Sequence, residues 1–366
     1  MTNKIKHIVV TAVMVAVFLS ASIFAWIKPA DDFSLSERRK LSQFPELSFK
    51  TVISGDFMSN FENYTLDQFP LRDKFRTLKA LVALNVFNRS DNNDIYVVDG
   101  YAGKIEYPLK EEAVERAGER FQYVYEKYLK DTDTKNYLSI IPDKNYFLGR
   151  ENGYLSVDYD RMISLLKENT DFLKYIDITK DLEISDYYKT DTHWREEKIV
   201  DVAEKIGNEM GTDIKAEYDV KTLENDFYGV YYGQSALPLE AEKIKYLTND
   251  ILESSKVFDY QNNKEISVYD MEKANGKDPY EMFLGGPLSL VTIENGNAKT
   301  DKELIIFRDS FGSSIAPLLV EGYKKITLVD IRYIHPNLLG NYIEFNSQDV
   351  LFLYSTSVLN NSETIK

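Results

Sequence analysis

From Lys110 onward, short apolar runs of strand length alternate with amphipathic stretches of helix length, and this rhythm restricts the fold more than any other feature. Residues 136–141 (NYLSII), 175–178 (YIDI), 303–307 (ELIIF), 325–331 (KITLVDI) and 349–355 (DVLFLYS) are the apolar runs. Between them, residues 111–128 carry Ala113, Ala117, Phe121 and Val124 on one helical stripe. Residues 160–169 read as a second helix and residues 196–210 as a third, the latter apolar at Ile199, Val202, Ala203 and Ile206. Strands that are apolar on both faces need helices over both faces. The expected architecture is therefore a three-layer α/β/α domain around a mostly parallel sheet.

Two segments depart from this rhythm. Residues 212–300 are rich in glycine and aromatic residues, as in FYGVYYG (227–233) and MFLGGPLSLVTI (282–293), and predict a β-rich insertion that lines or covers a cleft. Residues 8–27 run without a charge behind Lys4 and Lys6. At 1.5 Å per residue they span about 30 Å, the thickness of a bilayer core. Ser20-Ala21-Ser22 supplies small residues for a cleaved signal peptide, but the apolar run continues past them to Trp26 and Ile27. A retained single-pass anchor with an outward-facing domain is the expectation. The chain then divides into an anchor or signal segment (1–28), a juxtamembrane linker and helical region (29–90) and the α/β domain (91–366).

Composition narrows the chemistry. A net charge of −15 is wrong for a binder of nucleic-acid phosphates. No cysteine is present, which removes thiol nucleophiles, disulfides and cysteine-type zinc sites. Of three histidines, His7 lies in the N-terminal segment, leaving His193 and His335 as candidate bases.

Residues 303–322 (ELIIFRDSFGSSIAPLLVEG) read as strand, tight polar turn and helix, with Ser310 on the turn. A serine there stands at the carboxyl edge of a parallel sheet, with helix N-terminal amides beside it to hold an oxyanion. Helix capping is the plainer role for such a serine. In residues 187–197 (YYKTDTHWREE), Asp191 precedes His193 by two residues just ahead of a helix, so both side chains can leave one loop together. The carboxylate would hold Nδ1–H and leave Nε2 for a serine proton. Weaker candidates are Gly286 for an oxyanion amide, and Tyr188 and Trp194 for stacking on sugar rings. A metal at Asp191, His193 and His335 lacks any ligand spacing, so neither a metal nor an organic cofactor is expected.

YYKTDTHW followed by RDSF resembles the SGNH-hydrolase-like proteins of polysaccharide O-acetylation, namely the alginate O-acetylation proteins and the DHHW family. ERRKLSQFPEL (37–47), YTLDQFPLRD (64–73), IIPDKNYFL (140–148) and VDIRYI (329–334) share the likeness. The resemblance implies Asp191, His193 and Ser310 as a catalytic triad and Arg332 as a residue lining the acceptor site. It also implies a cell-envelope O-acetyltransferase, with a multispanning membrane acyltransferase as donor partner and a polysaccharide or cell-wall glycan as acceptor. An acetyl esterase and a non-catalytic scaffold or glycan-binding module are the alternatives. Thr192 stands where the family name places a second histidine, and Arg308 where glycine is usual.

Overall fold

The computed structural model describes residues 3–366 and divides into two compact units. One comprises the chain up to Asn93 together with Tyr232–Pro238; the other comprises Asp94–Tyr231 and Leu239–Lys366.

The larger unit is built on an eight-stranded sheet. Its strands are β1 (Lys135–Ile141), β2 (Lys174–Tyr175), β3 (Lys256–Asp259), β4 (Lys264–Ile266), β5 (Leu290–Glu294), β6 (Glu303–Arg308), β7 (Lys325–Val329) and β8 (Asp349–Ser355). Their order is β4-β3-β5-β7-β6-β8-β1-β2. The ladders from β7 through β6, β8 and β1 to β2 are parallel, and the β4-β3-β5 edge joins β7 antiparallel. Helices α1 (Glu111–Val124), α2 (Tyr159–Asn169), α3 (Val200–Glu209) and α4 (Gly312–Leu319) cover the sheet.

Alternation along the strands sorts side chains between two cores. Leu304 and Ile306 of β6 and Leu351 and Leu353 of β8 pack on one face with α3 and α4. Ile305 and Phe307, with Val350 and Phe352, pack on the other with α1 and α2. The three-layer expectation holds, and β6 lies inside the sheet between two parallel neighbours.

Local chemistry moved one strand boundary. Strand β2 stops at Tyr175 and does not run to Ile178, because the Asp177 carboxylate accepts from Thr179 N–H at 3.0 Å and turns the chain. Residues 212–300 are β-rich, as expected, and most of their strands join the main sheet. Strands β3, β4 and β5 extend the main sheet, and only Asp219–Thr222 with Lys245–Thr248 form a separate ribbon. Asp99 (φ 50°) and Gly100 (φ 83°) make the tight turn of the hairpin Ile95–Val98 and Tyr101–Lys104, as the Asp-Gly pair predicts.

The smaller unit is helical: Asn3–Ile27, Phe49–Ser54, Asp56–Asp67 and Arg72–Asn85. Its polar centre is an ion cluster in which Arg39 pairs with Asp67 at 2.5 Å, while Arg72 and Arg76 reach Glu37 at 2.5 and 3.2 Å. Asn3–Ile27 is one helix long and apolar enough to cross a membrane, and a signal sequence would pass the same test of length and composition.

Candidate active site

The carboxyl ends of the parallel strands converge on one edge of the sheet, where ligand sites of α/β folds collect. β6 ends at Arg308, and Asp309-Ser310-Phe311 turns directly into α4. The Asp309 carboxylate shapes this turn from both sides. One oxygen accepts from Phe311 N–H at 3.0 Å; the other accepts from the Ser355 amide and hydroxyl at 2.8 and 2.7 Å, tying the turn to the end of β8. The glycine at 312 has a packing reason, since a Cβ there would lie 2.6 Å from Arg308 Cβ.

Residues 187–194 close as a tight loop. Tyr187 and Trp194 form an antiparallel bridge, and Tyr188 N–H donates to the His193 carbonyl at 3.1 Å. Within it, Asp191 Oδ1 meets His193 Nδ1 at 2.6 Å and accepts from His193 N–H at 3.1 Å. Asp191 Oδ2 accepts from Val230 N–H at 2.8 Å. His193 Nε2 stands 2.8 Å from Ser310 Oγ. The aspartate side chain is wholly buried and the histidine 12% exposed, so the chain of hydrogen bonds opens to solvent at its serine end. This arrangement can remove the serine proton and return it to a leaving group.

Several residues that sequence reasoning missed hold the loop. The His193 ring lies on Tyr280, and Phe311 leans against it at 4.9 Å. Tyr280 OH and Trp194 Nε1–H both meet Ser314 Oγ at 2.8 Å, so the histidine loop and the helix after Ser310 share one anchor. Burial drives the Tyr280 phenol well above its ordinary range, keeping it protonated. Gly229 packs against the loop so closely that a Cβ would lie 2.3 Å from Asp191 Cα. Beneath the loop, the buried Lys144 ammonium donates to the carbonyls of Tyr188 and Lys189 at 2.9 and 3.0 Å. Burial pulls it down to about 7, opposed by the charges of Asp191 and Glu242. The glycines and KNYFL were visible in the sequence, but no pattern ties them to a loop on another element.

The other sequence candidates fare differently. Tyr188 and Trp194 are completely buried, so neither offers a face to a sugar; the stacking expectation gives way to a packing role. Gly286 has φ 84° and donates its N–H to the Phe283 carbonyl at 3.2 Å, which occupies the amide expected to serve an oxyanion. Arg332 is clamped by Asp330 through Nε and Nη2 at 2.9 and 2.7 Å. Burial opposes its charge, and these hydrogen bonds more than restore it. Arg308 fills the interior beside the turn, donating to the Asp309 and Leu288 carbonyls at 3.3 Å, and burial lowers its guanidinium. His335 accepts from Asn337 N–H and caps a short helix. Among the described residues no group of three or more His, Asp or Glu is placed to hold a metal ion.

By sequence, no family model and no curated protein matches the chain. By structure it is similar to a DHHW family protein from Eubacterium siraeum, with a TM-score of 0.60 and 22% identity over 75% of this chain and 95% of that one. It is also similar to PatB1 of Bacillus cereus, with a TM-score of 0.59 and 20% identity over 74% and 98%. PatB1 carrying a sulfonyl adduct matches at a TM-score of 0.54. This chain thus shares its overall α/β fold with the DHHW family protein and PatB1.

Proposed function

We propose that the chain is a serine-dependent O-acetyltransferase acting on a cell-envelope polysaccharide. The observation that carries the reading is the continuous hydrogen-bonded chain from Asp191 through His193 to Ser310, with contacts of 2.6 and 2.8 Å. The fold shared with PatB1 and the DHHW family protein supports it, as does the resemblance of YYKTDTHW and RDSF to polysaccharide O-acetylation proteins.

In the proposed reaction Asp191 fixes the histidine tautomer with Nε2 unprotonated. Ser310 Oγ attacks the carbonyl carbon of an acetyl ester as its proton passes to Nε2. The Phe311, Gly312 and Ser313 amides are spent on Asp309 Oδ1, Asp309 O and Ser310 O, which leaves the Ser310 amide at the helix start for the oxyanion. The ester C–O bond breaks, His193 protonates the departing alkoxide, and the acetyl group stays on Oγ. A sugar hydroxyl then gives its proton to Nε2, attacks the acetyl carbon and releases Ser310. With one histidine available, the same imidazole acts as base and acid in both halves. The donor would be delivered by a multispanning acyltransferase in the membrane, to which an N-terminal anchor would hold this chain close.

The test is hydrolysis of a chromogenic acetyl ester by the detergent-solubilised chain, compared with Ser310→Ala. Turnover lost in the variant, and a sulfonyl fluoride adduct on Ser310 by peptide mass spectrometry, are the expected results. Equal and negligible turnover with no adduct on either protein would overturn the reading. Added oligosaccharides then yield acetylated product if sugar, rather than water, takes the acetyl group.

A further inference from the structure

The two units expose apolar surface of different kinds. In the larger unit most of the large apolar side chains at the surface are tyrosines, such as Tyr107, Tyr123 and Tyr342. Tyrosine carries a hydroxyl that water satisfies, so such exposure is ordinary. In the smaller unit the exposed residues, Trp26 apart, have no polar tip. Phe49 and Ile53 of helix Phe49–Ser54 are 85% and 72% exposed, and Phe75 and Leu78 of helix Arg72–Asn85 are more than half exposed, as is Phe87 just beyond it. Phe49, Val52 and Ile53 stand at i, i+3 and i+4 of one helix, and Phe75 and Leu78 at i and i+3 of the other, so each set lies on one face of its helix. An apolar surface of this extent marks a contact that the isolated chain leaves unmade.

Its position along the N-terminal helix identifies what covers it. A cavity of about 270 Å³ is lined by Ala21, Ala25 and Trp26 from that helix and by Phe44, Phe61 and Phe69 from the segments that follow. Ala21 precedes the helix end at Ile27 by six residues, or about 9 Å at the helical rise. Helix Asp56–Asp67, through Phe61, and the flanking Phe44 and Phe69 therefore pack alongside the last turns of the apolar helix and do not begin beyond it. If Asn3–Ile27 crosses a bilayer, this depth is that of the headgroup and upper acyl region, where interfacial helices bury about 5–10 Å. Charge agrees with this placement. Residues 28–93 hold ten Lys and Arg against nine Asp and Glu, in a chain whose net charge is −15. The acidity lies elsewhere, and this segment is the part that an anionic lipid surface does not repel.

We propose that residues 44–87 form an interfacial collar that lies in the headgroup region of the membrane, its exposed Phe, Leu and Ile side chains embedded in lipid. The proposal rests on Asn3–Ile27 being a retained anchor. The occupant is the lipid itself: single apolar side chains spread over two helices and their flanks suit a fluid surface. The collar holds residues 44–87 at the bilayer surface, where a free linker would leave them at variable height.

The chain has no cysteine, so single thiols can be placed without background. The full-length protein, carrying Ile53→Cys or Leu78→Cys, is labelled with an environment-sensitive fluorophore. It is then reconstituted into phosphatidylcholine–phosphatidylglycerol vesicles with acyl-brominated lipid. Val15→Cys reports on the anchor, and Leu155→Cys and Val220→Cys report on exposed sites of the larger unit. Severalfold stronger bromine quenching at 53 and 78 than at 155 and 220, together with quenching at 15, is the expected result. Quenching at 15, with 53 and 78 as accessible to iodide in water as 155 and 220, would retain the anchor and overturn the collar; that outcome would leave the apolar stripes to a protein partner. No quenching at 15 would overturn the anchor and the collar together. These variants leave Asp191, His193 and Ser310 unchanged, so ester hydrolysis tests the reaction separately.

Discussion

The imidazole of His193 lies flat on the ring of Tyr280, with centroids 3.8 Å apart and planes 9° from parallel. The phenol below it is tied to Ser314, on the helix that begins two residues after Ser310. One side chain thus sets the height of the imidazole and links it to the element carrying Ser310. An imidazolium over an aromatic face also gains cation–π energy as it forms.

Replacing Tyr280 separates these contributions. Tyr280→Phe keeps the ring and loses only the Ser314 contact, so ester hydrolysis should fall by less than tenfold. Tyr280→Leu removes the stacked face, worth about 0.5–2 kcal/mol, which corresponds to a further two- to thirty-fold loss in kcat with little change in KM. Steady-state kinetics on both variants, with thermal melts to confirm folding, checks the order Tyr, Phe, Leu.

Asp191→Asn tests the orienting carboxylate. The aspartate accepts at both oxygens, from Val230 N–H on one side and from the His193 backbone and ring on the other. An amide must turn its NH2 towards one of these donors, and if it faces Nδ1 it stabilises the tautomer that cannot accept the serine proton. Turnover should drop by on the order of 10³–10⁴ while the melting temperature changes little. Near-normal turnover would contradict the assigned role.

Gly229→Ala probes the loop from behind. The new Cβ would stand 2.3 Å from Asp191 Cα and from the Thr190 carbonyl oxygen, which are backbone atoms that cannot rotate away. The loop must shift, and placement errors of about 1 Å at a reacting group cost on the order of a hundredfold. Activity should fall by at least tenfold, with a lowered melting temperature. An unchanged rate would show that the loop yields without moving the aspartate.

Lys144 gives a pH signature in stability. Its ammonium is pulled down to about 7 by burial, against an ordinary value of 10.5 in the unfolded chain. Between these values the unfolded state binds more protons than the folded one, so this group makes stability rise with pH across that window. Below about pH 7 the full cost of the buried charge is present; above 10.5 it has gone. One proton contributes a slope of at most about 1.4 kcal/mol per pH unit. Lys144→Met should remove that part of the slope, measured by urea unfolding at pH 7.5, 8.5 and 9.5.

Legibility in the sequence followed the range of the interactions involved. The periodicity of residues 111–128 and 196–210 reports which side chains share a helix face, and the structure has helices α1 and α3 there. ELIIF with its polar turn predicted a serine at a strand's carboxyl end, and Ser310 stands there. Residues 212–300 read correctly as β-rich, but glycine-rich spacing does not reveal that part of them forms an antiparallel edge of the main sheet. Tyr188 and Trp194 misled for a related reason: an aromatic residue beside a histidine looks the same whether it faces solvent or core. Tyr280 left no signal, because its partners lie on two other elements.

The sequence by itself determined the layers, the strand that carries Ser310 and the pairing of Asp191 with His193 on one loop, since all of these depend on neighbours within a few residues. Only the tertiary structure decided that Nε2 of His193 meets Ser310 Oγ, that Tyr280 supports the ring, and that Gly286 spends its amide elsewhere. Those contacts are set by strand order and by the packing of loops over the sheet edge. A displacement of a few ångströms there would separate Ser310 from the His193 imidazole without altering any local pattern in the chain.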